Sequence, residues 1–274
     1  MSVKLITDST ASLTREFAET KNITVVPLTL RFPDSEYSPA YSGDYDPFYE
    51  RLLKGKDIPK TSLPSPEAFR SVFQKIADDG DEAVCLTITS QLSGTYNSAV
   101  RGAEGLEDKI KVIDSGALAQ PLMFLVEAAC EMIEKGMSAA QVAEGIDALK
   151  DKTEIMFIPD SLEYLSRGGR ISKLTSALAS ILKIKPVLNF KNGKFSTAKK
   201  GIGLMRAVKE LVALLPANIK KITAVCIGEN SLFEKMKQLI GAKFGGINIP
   251  DSPLSPIVAA HVGPGAFGVA FITG

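Results

Sequence analysis

Short apolar runs alternating with helix-like segments constrain this chain more than any other feature. In the first half, Val3–Thr7, Ile23–Phe32, Ala83–Ile88 and Ile110–Ile113 read as strands. Leu13–Thr20, Phe48–Leu53, Glu67–Ala77, Ser93–Leu106, Pro121–Glu134 and Ser138–Leu149 read as helices, with Lys60–Pro66 a loop. Strands joined through helices form βαβ units and a parallel sheet, which binds ligands at the carboxyl ends of its strands. Polar clusters lie at those ends: Asp8-Ser9-Thr10, Thr89-Ser90-Gln91-Leu92-Ser93-Gly94-Thr95 and Asp114-Ser115.

The pattern changes near residue 153. Glu154–Pro159 reads as a strand and Leu174–Leu182 as an apolar helix. Lys185–Phe190 and Lys194–Lys199 flank Asn192-Gly193, a hairpin signal because both residues tolerate positive φ. Helix Leu204–Leu214, strand Ile222–Ile227 and helix Leu232–Ile240 follow, with Ile247–Ile249 and Phe267–Ile272 as closing strands. The expected class is α/β: an N-terminal parallel-sheet α/β domain over residues 1–152, then an α+β domain over residues 153–274 with a mixed or antiparallel sheet.

Composition narrows the function. The chain has 274 residues, 45% hydrophobic and 23% charged, with a formal net charge of +1. Near-neutral charge argues against a large nucleic-acid footprint. Cys85, Cys130 and Cys226 are far apart among apolar residues and read as buried thiols in a reducing compartment. No apolar run reaches transmembrane length and no signal-peptide pattern opens the chain, so a cytoplasmic protein is expected. The single histidine, His261, has no metal-ligating companions at suitable spacing, so no metal is expected. No nucleophile elbow, Walker loop or dinucleotide fingerprint occurs, and no cofactor is expected.

What remains are hydroxyls, one imidazole and a pair of arginines. Ser93-Gly94-Thr95 opens a helix behind a strand, where free N–H groups attract anions, although Ser93 reads equally as a cap. Thr61-Ser62-Leu63-Pro64-Ser65-Pro66 is a stiff hydroxyl-rich segment or a plain turn with an N-cap. His261, before Val262-Gly263-Pro264-Gly265, is structural or part of a carboxylate-and-hydroxyl network. Arg167-Gly168-Gly169-Arg170 is a solvated turn or a site for a phosphate or acidic partner. The two hydroxyl segments and His261 make a weak catalyst but a sensible carboxylate receptor, because a buried carboxylate needs several donors and uncharged ones can supply them without a full countercharge.

These motifs, in this order, resemble the DegV family of bacterial fatty-acid-binding proteins. They include Ile6-Thr7-Asp8-Ser9-Thr10, the Thr61–Pro66 segment, Leu92-Ser93-Gly94-Thr95-Tyr96-Asn97-Ser98-Ala99, Tyr164–Ile171, Ile184-Lys185-Pro186-Val187-Leu188 and His261-Val262-Gly263-Pro264-Gly265. The resemblance implies a long-chain fatty acid bound between two domains. It implies that Thr61 and Ser93 hold the carboxylate, with Ser62, the Gly94 amide and His261 around them. It also implies a non-catalytic subunit that presents the acid to a separate kinase, which makes an acyl-phosphate for phospholipid synthesis. Arg167 and Arg170 are assigned to kinase docking, and transient contact with a membrane surface is expected. Leu63 departs from the glutamine frequent in the family.

A tail of roughly sixteen carbons gains on the order of 10 kcal/mol of gross transfer free energy, so the head group mainly sets orientation. Leu178, Ile181 and Ile184 are candidate tunnel-wall residues, or ordinary core. Two other readings stand beside this one. The first is a small-molecule phosphotransferase or hydrolase using Ser93 and His261. The second is a regulatory module that binds a different anion at the Ser93 helix start.

Overall fold

A computed structural model describes residues 2–54, 59–159, 161–170, 184–228 and 230–274. The chain opens with β1 (Val3–Asp8), α1 (Arg15–Thr20) and β2 (Ile23–Val26), then β3 (Thr29–Arg31), β4 (Glu36–Tyr37), α2 (Asp46–Leu53) and β5 (Lys60–Ser62). It continues through α3 (Pro66–Asp78), β6 (Glu82–Thr87), α4 (Thr95–Gly102), β7 (Ile110–Asp114), α5 (Ala119–Glu134) and α6 (Ala139–Leu149). β8 (Thr153–Ile158), α7 (Glu163–Arg167), β9 (Ile184–Lys191), β10 (Lys194–Ile202) and α8 (Leu204–Leu214) follow. β11 (Ile219–Cys226), α9 (Ser231–Lys243), α10 (Pro256–Val262) and β12 (Phe267–Thr273) complete it.

The fold is mixed α/β, with a parallel sheet ordered β2-β1-β6-β7 and a five-stranded antiparallel sheet ordered β10-β9-β8-β12-β11. β1 and β6 read as near-continuous apolar runs because both sheet faces are covered. Leu5, Val84 and Leu86 pack with α5 and α6 on one face. Ile6, Ala83 and Cys85 meet Phe69 and Phe73 of α3 on the other. α3 begins where Ser65 accepts the Ala68 N–H and Pro66 fills the first turn, where no N–H partner is needed. α6 begins with a capping box between Ser138 and Gln141.

α5 is apolar and buried on most sides along its first two turns, and its glutamates, Glu127, Glu131 and Glu134, come only later. Its Leu122, Leu125 and Val126 serve the parallel sheet, while Phe124, with Leu118 and Ala119 at its start, joins the core under the antiparallel sheet. The outer face of that second sheet is sealed by α8 and α9. Its inner face, with Phe157, Leu188, Phe190, Phe195 and Val225, turns toward α5 and α10.

Several elements differ from the sequence expectation. The single strand expected over Ile23–Phe32 breaks in two. Pro27 has no N–H to give a ladder, and Leu28 donates its N–H to Ser9 Oγ (3.0 Å), so the chain leaves the parallel sheet there. The second piece, β3, forms a small antiparallel sheet ordered β4-β3-β5. β5 occupies what reads as the loop Lys60–Pro66; three residues are too few to show alternation. Ile247–Ile249 forms no strand, and only Asp251 bridges to Ala224. α10 carries no readable period because six of its seven residues are buried. The expected helix Leu174–Leu182, with Leu178 and Ile181, lies outside the described residues. So does the side chain of Ile184.

The Asn192-Gly193 hairpin is as read, with φ values of 50° and 73°. Its tip reaches the carboxyl ends of the parallel sheet, where the Gly193 N–H donates to Gly116 O at 2.7 Å.

Candidate functional site

Two carboxylates, Asp8 fully buried and Asp114 half-buried, build the loop that carries Ser93. Asp8, at the end of β1, accepts the Ile88 N–H (2.7 Å), the Thr10 N–H (2.9 Å) and the Thr10 hydroxyl (2.5 Å). Complete burial raises its pKa despite these donors. Asp114, at the end of β7, accepts N–H groups from Ser90 and Gly116, each at 3.1 Å. Both acids therefore anchor the segment after β6. Beyond it, Ser93 Oγ lies 2.8 Å from Thr95 Oγ1 and accepts the Thr95 N–H at 3.3 Å. Thr95 is fully buried.

Thr61 is brought to the site by β5. It lies opposite Leu30 in the ladder, and directly paired residues share a sheet face. Leu30 is wholly buried, so Thr61 points inward and its neighbour Ser62 points out. α10 supplies His261, with Ile257, Val258 and Val262 at helical spacings that put them on the same side. His261 Nε2 sits 2.9 Å from Thr61 Oγ1, two hundred residues apart in sequence. Burial, and then the charge of Arg170, lowers the His261 pKa to about 4, so the ring is neutral at physiological pH.

Arg170 fastens the parts together. Its Nη1 donates to Gly168 O at 2.7 Å, and its Nε and Nη2 donate to Leu92 O at 3.3 and 3.2 Å. It thus joins the turn after α7 to the loop that carries Ser93.

These groups line one end of an apolar cavity. Thr61, Ser93, Arg170 and His261 share a compartment of about 490 Å³, partly open to solvent, whose other described walls are all apolar. A second compartment of about 400 Å³ runs on beneath the antiparallel sheet, past Ile155, Phe157, Val225, Leu254 and Phe267. Leu118, Phe195, Val258 and Val262 wall both compartments and mark where they meet. Polar groups thus gather at one end, and among the described residues no charged or hydroxyl side chain lines the other.

The sequence model of the DegV family of uncharacterised proteins matches residues 2–274. The chain belongs to the DegV family. A DegV domain-containing protein of Halalkalibacterium halodurans is 31% identical over 280 residues, covering 98% of each chain. Among solved structures, a protein of Eubacterium ventriosum described as stearic-acid-binding is 29% identical, with a TM-score of 0.86 over 100% of this chain and 98% of its own. A DegV family protein of Thermus thermophilus, described by its fatty acid binding, is 27% identical, with a TM-score of 0.87 over 100% of both chains.

In this DegV chain Thr61, Ser93 and His261 line one compartment. It does not bring Ser62, which is exposed on the far side of β5. Gly94 caps α4 beneath Leu63: a Cβ placed there would stand 3.0 Å from Leu63 Cδ2, and Leu63 itself is 47% exposed. Arg167 is exposed and pairs with Glu163 at 2.5 Å. Arg170 lies in the cavity wall instead of on an open surface, so the polar end holds a cation where only uncharged donors were expected. Sequence reasoning also missed the shared ring of Leu118, Phe195, Val258 and Val262. The one available signal was Phe195, two residues past the hairpin turn. Among the described residues, no group of three or more His, Cys, Asp or Glu side chains is placed to hold a metal ion. No described helix is long and apolar enough to cross a membrane.

Proposed function

We propose that this DegV chain binds one long-chain fatty acid between residues 1–152 and 153–274. In this reading Thr61 and Ser93 hold the acid group, with Arg170 and His261 beside them, and the tail runs under the antiparallel sheet. The observation that carries it is the polarity of the cavity: hydroxyls and a guanidinium at one end, apolar side chains at the other. Such a gradient suits an amphiphile and no small polar anion. Two proteins of closely similar structure are described as fatty-acid-binding, which supports the same ligand class.

The protein then acts as a carrier subunit. It offers the acid to a separate kinase in the cytoplasm, with the exposed Arg167 near the site as a docking contact and transient contact with a membrane surface during loading. Binding is favoured over chemistry because the candidate nucleophile and base are not partnered. Ser93 bonds to Thr95 and His261 bonds to Thr61, so the Ser–His pair that a hydrolase or phosphotransferase needs is absent from the described contacts.

Native mass spectrometry of protein purified from a bacterial host, followed by lipid extraction, tests the reading. One long-chain acid per chain is expected. A chain that carries no lipid and takes up none from added stearic acid rules it out.

A further inference from the structure

The buried face of the only histidine is built as closely as its exposed one. His261 Nδ1 is buried and has no hydrogen-bond partner among the described residues. It is pressed against the turn after α7: a Cβ built on Gly168 would lie 2.3 Å from Nδ1 and 3.1 Å from Cε1 of the ring. Gly168 has an ordinary φ of −72°, so space and not backbone geometry demands glycine. The contact is reciprocal. Gly263, two residues after His261, has a φ of 81° and would clash with the Tyr164 ring at 2.4 Å if it bore a Cβ. Glycines on both elements thus let α7 and α10 close on each other, and Arg170 ties the same turn to Leu92 O.

An imidazole seated this way has two neutral forms with opposite consequences. If Nδ1 carried the hydrogen, a buried N–H would have no acceptor, the costlier kind of orphan. Thr61 would then direct its one hydrogen at Nε2 and show only lone pairs to the cavity. If Nε2 carries the hydrogen, it donates to Thr61 Oγ1, and the Thr61 hydrogen is free for a carboxylate. The positive charge of Arg170, which is fastened to Gly168 O in the same turn, opposes a second proton on the ring. Among the described residues, Arg170 is the one charged group that acts on the ring.

We infer that the Arg167–Arg170 turn is a positioning device for the acid-binding site: through Gly168 and Arg170 it holds His261 as the Nε2–H tautomer, which turns Thr61 into a hydrogen-bond donor toward the ligand. The inference rests on the fatty-acid reading above for the identity of that ligand, but the tautomer itself is a property of the unliganded chain. Gly168, Arg170 and His261 are positioning residues in this scheme, acting through Thr61.

Long-range proton–nitrogen correlation spectra of the full chain, labelled at histidine and stripped of lipid, read the tautomer directly. One histidine means one unambiguous set of signals. Wild type at pH 7 is expected to show hydrogen on Nε2 alone. Arg170→Gln and Gly168→Ala are expected to lose that single form and to bind stearic acid at least about tenfold more weakly, the order of one lost hydrogen bond to a charged group. Should Gly168→Ala not fold, Arg170→Gln carries the test. His261→Gln, whose amide N–H reaches the Nε2 position, is expected to stay within about threefold of wild type, while His261→Asn falls about tenfold.

Hydrogen on Nδ1, or a doubly protonated ring at pH 7, overturns the inference. So do equal losses for His261→Gln and His261→Asn. If wild type shows the Nε2–H form but binds no stearic acid, the fatty-acid reading fails while the tautomer assignment holds.

Discussion

Thr61→Val separates head-group contacts from tail burial. Valine keeps the shape of threonine and removes the hydroxyl, so the cavity wall stays intact. On the ligand side the change deletes one hydrogen bond to a carboxylate, worth about 1.5–3 kcal/mol, or roughly 10- to 150-fold in affinity. The tail keeps its gross transfer energy of on the order of 10 kcal/mol. Binding should therefore weaken without vanishing. The protein side has a separate cost. His261 Nε2 loses the partner it holds at 2.9 Å, on a ring whose Nδ1 has none among the described residues, so the unliganded fold should lose about 1–3 kcal/mol. Domains of ordinary stability, about 5–15 kcal/mol, survive that. Calorimetric titration of stearic acid into delipidated protein measures the first effect, and urea unfolding the second. Stearic acid methyl ester is the control: the tail is the same, the head carries no charge, and the wild-type advantage should shrink to about threefold or less. Equal losses for acid and ester, or unchanged affinity for the acid, would refute a carboxylate at Thr61.

Three further outcomes follow from the same geometry. The His261 pKa falls from 6.5 in the unfolded chain to about 4 in the fold, so the unfolded state binds the extra proton through that window. Stability is then full above pH 6.5 and drops as pH falls toward 4, by at most about 3 kcal/mol. Unfolding of wild type and His261→Gln at pH 7 and 4.5 isolates this effect, because the opposing contribution of Asp8 is common to both and cancels; a pH-independent difference between them contradicts it. Gly193→Ala should cost about 1–2 kcal/mol in urea, since its φ is 73° and the new Cβ would stand 3.1 Å from the Oγ1 of buried Thr89. Ser138→Ala removes the acceptor for the Gln141 N–H and should cost about 1 kcal/mol, read as a lowered thermal midpoint.

Local signals were legible where one residue decides the backbone. Ser138 marks the start of α6, Asn192-Gly193 closes β9 onto β10, and the apolar runs of β1, β6 and β8 announce sheets buried on both faces. Short or all-round buried elements were not. β5 has three residues, and α10 has no polar face apart from His261. Neither a period of two nor one of 3.6 can appear in such segments. The break at Pro27-Leu28 was visible as a proline, but Ser9, which draws the Leu28 N–H away, sits nineteen positions earlier.

By itself the sequence determined the α/β class, the order of parallel and antiparallel halves, and which hydroxyls and which imidazole belong to the characteristic motifs. The class and the order of the halves depend on neighbours within a few residues, which periodicity and turn chemistry record, while the motifs are legible through their likeness to the DegV family. Tertiary structure alone decided that Ser62 turns away while Thr61 turns in, that Arg170 lines the cavity, and that Gly168 seats the ring of His261. Each is a contact between segments tens to hundreds of residues apart, and close approach of that kind leaves no trace in local spacing.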